Sequence, residues 1–275
     1  MKKIQLLGVV VAMVTLHSCS TVPLTGRRQL SIVSESEMQN AAAQSYTALL
    51  KDPSTKVINN ADATRVKQVG QKIAAAVTKY MNANGYGDDI KGFNWEFNLI
   101  DSKDINAWCM PGGKVAIYTG ILPITKDDAG LATVMGHEIA HAVAKHSSER
   151  ASRAAAAELG GGLIGVATSG KSAGTQQMIN TIYGIGAQAG AILPNSRTQE
   201  LEADHLGLIF MSMAGYDPTN AVAFWQRMAA ASSGSQKPPE FLSTHPADAT
   251  RIAQIQRDLP EAQKYFKSTT GKPVK

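Results

Sequence analysis

Apolar residues return at helical spacing through most of the chain. From Asp62 to Ala83 they fall at Val66, Val69, Ile73, Ala76, Val77 and Tyr80, one face of a 3.6-residue period, and Asn84 with Gly85 supplies the stop. An earlier helix is predicted to run to Leu50, opened by a capping box of Ser34 and Glu37, and Lys51 to Asn60 reads as a loop. The pattern then changes to period 2. Phe93, Trp95, Phe97 and Leu99 alternate with polar residues, and Ala107 to Met110 and Lys114 to Thr119 flank the tight turn Pro111, Gly112, Gly113. This predicts a small antiparallel sheet. Helical spacing resumes at a cap, Asp127 or Asp128, towards Lys145, followed by an Ala-rich stretch to about Leu159. Further helices are predicted at Thr198 to Ala214, at Asn220 to Ala231 and from Asp248 through Asp258. Residues 160 to 191 are rich in Gly, Ala and Ser, and Lys171, Gln176, Gln177 and Asn180 interrupt them below membrane-spanning length, so a soluble helical segment is preferred. The expected fold class is α+β, mostly α-helical, with the small antiparallel sheet placed before the helix that carries His137 to His141.

Composition narrows the class. The 275 residues are 44% hydrophobic and 18% charged, ordinary for a globular chain, and the formal charge of +5 comes from scattered Lys and Arg without a basic patch interleaved with aromatics. Nucleic acid is not an expected partner. Lys2 and Lys3 precede an apolar run from Ile4 to Leu16, the layout of a secretory signal, so residues 1–18 are expected to be a lipoprotein signal peptide. The run ends in Leu16, His17, Ser18, Cys19, similar to a bacterial lipobox except at His17. Cys19 is then the lipidation site and the membrane is reached through that lipid. With Ser20 rather than Asp after it, the expected location is the periplasmic face of the outer membrane of a Gram-negative cell. Residues 19–34 read as a tether, since Pro23, Gly26 and two arginines show no periodicity, and 35–275 as the folded domain. The other cysteine, Cys109, reads as a buried apolar residue.

The chemistry begins at His137, Glu138, Ile139, Ala140, His141. On a helix, positions i and i+4 lie nearly above one another, so both imidazoles can share one Zn²⁺, and Glu138 stands beside them as a general base for the water. A catalytic zinc commonly takes three protein ligands. In the pattern HExxHxxGxxH the remaining Gly and His positions are Ala144 and Ser147, which excludes the metzincin solution, and His146 is off register. A later acidic residue is the other common solution. Glu200 and Asp204 are i,i+4 on a predicted helix, so one can bind metal while the other accepts from a ligand imidazole N–H; Glu202 projects nearly opposite Glu200.

HEIAH followed by Glu200 to Asp204 resembles the zinc peptidases of the HtpX and CAAX prenyl protease family (peptidase family M forty-eight). The likeness extends to Thr25, Gly26, Arg27, to Asn106 and Ala107 with Pro111, Gly112, Gly113, to Ser196 and Arg197, and to Thr244, His245, Pro246 with Arg251. It implies a gluzincin-like domain with one zinc per chain held by His137, His141 and Glu200. It further implies Glu138 as base and Asp204 as support for the ligands. His245 matches a family histidine at the active site, where it either stabilises the oxyanion or closes the site as a fourth ligand. Arg251 either orients that loop or is an ordinary helix arginine.

The expected activity is zinc-dependent endopeptidase. Asn106 and the strand Lys114, Val115, Ala116, Ile117, Tyr118 are the candidates for holding substrate, the strand by edge pairing with extended backbone. That mode favours unfolded or misassembled envelope proteins as substrates. A rival expectation is a zinc-containing chaperone or assembly factor with a normally closed site. An aminopeptidase is disfavoured because the chain has no GxMEN segment, and a peptidoglycan amidase because the matched residues belong to a peptidase family.

Overall fold

The computed structural model describes residues 19–160, 171–183, 195–232, 239–246 and 249–271. The expected signal peptide, and residues 161–170 and 184–194 of the small-residue segment, lie outside the described residues. Helices dominate, as the periodicity predicts: α1 (Glu35–Lys51), α2 (Ala61–Ala83), a one-turn α3 (Leu122–Thr125), α4 (Asp128–Val143), α5 (His146–Gly160), α6 (Lys171–Tyr183), α7 (Arg197–Met213), α8 (Asn220–Ser232), a short α9 (Glu240–Thr244) and α10 (Ala249–Thr270). Local chemistry sets several starts. Asn60 accepts from the Ala63 amide and Asp127 from the Gly130 amide, and Ser196 forms a reciprocal capping box with Gln199. Ser34 stands at the start of α1 as predicted, but its hydroxyl meets Ser36 at 2.8 Å and no capping box forms.

The four-stranded sheet runs β3 (Val57–Ile58), β4 (Glu96–Ile100), β6 (Lys114–Tyr118), β5 (Ala107–Met110). The β5–β6 pairing is antiparallel as expected; β3, within the stretch read as a loop, adds an antiparallel pairing with β4, whereas β4 and β6 are parallel. The cause is the link 101–106, which carries the chain past β6's place to the far edge before the β5–β6 hairpin turns back. Gly112 and Gly113 make that turn at φ of 82° and 83°, a region open to glycine at little cost. It follows that β6 is interior. Its backbone is taken on both sides, and the free edge beside the later helices is β5.

Both sheet faces are covered. Cys109, Val115 and Ile117 point into the larger core with α2, α4 and α7, while the alternate residues Trp108, Met110 and Ala116 join Met38, Tyr46 and Ile179 from α1 and α6. Three layers result. α4 lies in the middle, packed most extensively against α7 and also against α2, α8 and β5, so Leu131, Val134, Met135 and Ile139 are fully buried.

Residues 19–34, expected as a tether, are docked instead. β1 (Cys19–Thr21) pairs with β2 (Arg28–Leu30), and the turn between them places Arg27 against Glu149 on α5 and Glu202 on α7. Aperiodic sequence concealed this because the anchoring combines long-range ion pairs with the burial of Val22 and the packing of Leu24, which form no periodic apolar face.

α4 and α7 approach each other at Gly136 and Gly207. A Cβ on Gly207 would lie 2.8 Å from the His137 amide nitrogen, and one on Gly136 would lie 2.7 Å from the Gly207 carbonyl oxygen. Both obstacles are backbone, so neither can swing aside. Gly207→Ala is expected to lower stability by about 1–3 kcal/mol through overpacking, read as a fall in urea midpoint; an unchanged midpoint would contradict this helix spacing.

Candidate metal centre

α4 delivers His137 and His141 one turn apart, α7 delivers Glu200 and Asp204 one turn apart, and His245 ends α9. The glycine contact holds the first two helices close enough for their side chains to converge. His137 Nε2 lies 3.1 Å from His141 Nε2 and 3.5 Å from Glu200 Oε2, and His141 Nε2 lies 3.3 Å from Glu200 Oε1. His245 Nδ1 joins them at 3.2 Å from His137 Nε2 and 2.9 Å from Glu200 Oε1. All four residues are buried.

These spacings suit an ion. Four donors about 2.1 Å from a tetrahedral metal stand roughly 3.3–3.4 Å apart; five of the six pairs here approach to 2.9–3.5 Å, and the whole set lies within 4.8 Å. Hydrogen bonding alone serves the cluster poorly. One nitrogen of His137 faces two other imidazole nitrogens and a carboxylate oxygen at once, and it has only one proton or one lone pair to offer. A cation satisfies all of them together.

Support lies behind each donor. Asp204 Oδ1 sits 2.9 Å from His137 Nδ1, and Arg251 grips Asp204 by Nε (2.8 Å) and Nη2 (2.7 Å) while its Nη1 lies 2.8 Å from Glu200 Oε2. The guanidinium also stacks 3.9 Å from the Trp225 ring. Arg251, left open between two roles by the sequence, therefore holds the acidic pair and, by donating to the Pro246 carbonyl at 3.0 Å, the His245 loop. On the other side, His141 Nδ1 shares a 2.7 Å hydrogen bond with His146 Nδ1, and His146 Nε2 donates to Glu202 Oε2 at 2.9 Å.

The protonation pattern follows. Burial opposes charge on His137, but Asp204 and Glu200 outweigh it and hold its pKa up to about 9. His141 is lowered by burial, with Glu200 opposing. Burial would raise Glu200, yet His245 and the two helix histidines carry it well below the usual carboxylate range; Asp204 is likewise lowered against burial by Arg251 and His137. Glu138 differs. Burial pushes it up, and His245 and His137 offset that only in part.

Glu138, His141 and His245 line a cleft whose opposite wall is Asn106 and β5. Of the strand candidates, Asn106 is at the cleft. Lys114, Val115, Ala116, Ile117 and Tyr118 are not suited to edge pairing: Val115, Ala116 and Ile117 are buried in the two cores, and Lys114 binds the Asn94 carbonyl (2.9 Å) and Glu96 (3.3 Å). Cys109 is buried, as expected, and Cys19 is exposed. The sequence alone gives no site role to His146, which is off register, or to Glu202, which projects nearly opposite Glu200. Each looks like helix-surface polarity, and the signal for them was the Thr25, Gly26, Arg27 motif that covers them.

Residues 60–258 match the sequence profile of peptidase family M48. The chain belongs to this family. Similar proteins include mitochondrial metalloendopeptidase OMA1 of Schizosaccharomyces pombe, 32% identical over 88% of this chain and 67% of that protein. The OMA1 of Bos taurus is 32% identical over 92% of this chain and 48% of its own length. The beta-barrel assembly-enhancing protease of Escherichia coli is 29% identical over 64% and 38%. The chain thus spans between 35% and 67% of the length of these OMA1 relatives. Family membership and these relatives make it a metalloendopeptidase. They also correct the expected location: relatives from yeasts, plants and vertebrates are mitochondrial enzymes, which points away from a bacterial outer-membrane lipoprotein. Among the described residues no helix is long and apolar enough to cross a membrane.

The ion-pair geometry generates a pH prediction for the metal-free protein. Asp204 and Glu200 have lowered folded-state pKa values, so the unfolded chain binds more protons as pH falls below the ordinary carboxylate value of about 4. Their stabilisation is fully present above that value and is lost as pH drops through the folded pKa values. Arg251→Met strands both carboxylates and is expected to cost about 3–5 kcal/mol at neutral pH, with the acid limb moved to higher pH. Urea melts across pH read both effects; a variant as stable as wild type would contradict the pairing.

Proposed function

We propose that the chain is a zinc-dependent endopeptidase that cleaves extended segments of unfolded or misassembled proteins. The observation that carries this is the convergence of His137, His141 and Glu200 at tetrahedral donor spacing, with Glu138 beside them on the cleft. Bound zinc would lower the pKa of a water to about 7 and polarise the scissile carbonyl. Glu138 then takes the water's proton and returns it to the leaving amine. Its Oε1 makes no hydrogen bond among the described residues, and burial makes it a stronger base than an exposed carboxylate. Asp204 and His146 hold the two ligand rings in place.

The β5 edge supports an extended substrate. Tyr118 donates to the Asn106 carbonyl, so the alternate residues Ala107 and Cys109 turn their backbone groups away from β6, towards the cleft side. Here side chains hold those places: Asn106 Oδ1 accepts from the Ala107 amide at 2.8 Å, and the Tyr183 hydroxyl donates to the Cys109 carbonyl at 3.0 Å. An incoming strand would replace both. Main-chain pairing reads few side chains, which favours broad selection of unstructured segments. The name of the beta-barrel assembly-enhancing relatives favours β-barrel proteins within that class.

His245 favours a closed resting site as a second reading. Its Nδ1 lies inside the donor set, where a fourth protein ligand excludes the water that catalysis needs. This also accommodates a chaperone or assembly role that uses the shut form.

Glu138→Gln should retain metal and lose at least about 100-fold in casein cleavage; retained cleavage would remove Glu138 as the base. His245→Ala should retain metal and cleave casein faster than wild type, since it opens a coordination position. A loss on the order of 100-fold or more would instead make His245 an oxyanion donor.

A further inference from the structure

The N-terminal hairpin reaches the metal centre through an unbroken run of hydrogen bonds. Thr25 Oγ1 donates to Glu202 Oε1, and Arg27 Nε donates to Glu202 Oε2 at 2.7 Å. Arg27 also pairs through Nη1 and Nη2 with both oxygens of Glu149, at 3.1 and 2.9 Å. Glu202 accepts from His146 Nε2, and His146 Nδ1 meets His141 Nδ1. The opposite nitrogen of His141 is the one that faces His137 and Glu200.

We propose that Thr25 and Arg27 are positioning residues of the metal centre, fixing the ring orientation and tautomer of His141 through Glu202 and His146. This rests on the assignment of His141 as a metal ligand. With Glu202 accepting at His146 Nε2, His146 carries its proton there and leaves Nδ1 bare. His141 must then place its own proton on Nδ1 to complete the bond, which keeps Nε2 free to donate a lone pair to the ion. Glu202 stands on the side of α7 away from Glu200 and has no other anchor as close as the hairpin. If released, it would turn to solvent, and His146 could reverse its tautomer and offer Nδ1–H to His141. His141 would then protonate Nε2, the atom the metal requires.

The hairpin does this from a distance of over a hundred residues in sequence. His137 has a one-step carboxylate, Asp204. His141 has a two-step one. The two ligands of the HExxH helix are therefore oriented by different parts of the chain.

A plain structural clamp would lower stability and leave metal affinity alone, so affinity is the deciding readout. Zinc affinity of the full chain is measured by competition with a chromophoric chelator, beside heat melts of the metal-free protein. Thr25→Val and Arg27→Gln should each weaken zinc binding about 10-fold, the lower end for a group acting behind a ligand, and Thr25→Ser should keep wild-type affinity. Unchanged affinity in Thr25→Val and Arg27→Gln, whatever the melting temperature, overturns the proposal. An equal loss in Thr25→Ser and Thr25→Val overturns it as well. Should Arg27→Gln fail to fold, the Thr25 pair decides alone. Zinc-loaded wild type that does not cleave casein would instead count against the peptidase function and leave these affinities unaffected.

Discussion

Everything at the site depends on how closely two helix backbones approach. Gly136 on α4 and Gly207 on α7 face each other with no room for a Cβ on either, and each sits beside residues that carry the chemistry: His137 next to Gly136, and Asp204 one turn before Gly207. A wider spacing would move Glu200 away from the two imidazoles by more than a metal–ligand bond tolerates. Small residues thus set the distance at which large polar ones meet. The core around them is apolar and close-packed, so the spacing is enforced from α2, β5 and α8 as well.

That arrangement buries an unusual amount of charge. Glu138, Glu200, Glu202 and Asp204 lie under 10% exposed beside the four buried histidines His137, His141, His146 and His245 and Arg251. Such groups are tolerated only when paired. Arg251 answers Asp204 and part of Glu200, Arg27 answers Glu202, and the remaining donors of Glu200, His137, His141 and His245 face one point. A bound ion would therefore add its binding free energy to the stability of the fold, because it completes a cluster that the apolar core already surrounds. Glu138 is the exception by design of its surroundings: burial raises its proton affinity rather than neutralising it.

Local periodicity made the helices and the donor pairs legible. HExxH and Glu200 with Asp204 both depend on the i,i+4 relation, which a sequence displays directly. The strands were visible too, but a period of 2 reports which residues share a face and says nothing of which strand lies next to which. Hence β6 was expected at an edge and is central, and β5 holds the edge at the cleft. Residues whose partners lie on distant segments were hidden. His146 and Glu202 are interior, with His146 between His141 and Glu202, and Thr25 and Arg27 bonded to Glu202. The location expected from the N-terminal residues was overturned by the chain's mitochondrial relatives, since a short apolar run with a cysteine carries less information than likeness over most of the chain.

The central claim is that helix convergence builds a tetrahedral nitrogen–oxygen metal site. X-ray absorption at the zinc edge, with metal analysis on the purified full chain, tests it most directly. The account predicts one zinc per chain with a first shell of nitrogen and oxygen only, including imidazole scattering from two or three rings. A chain that retains no zinc, or a shell containing sulfur, would contradict it.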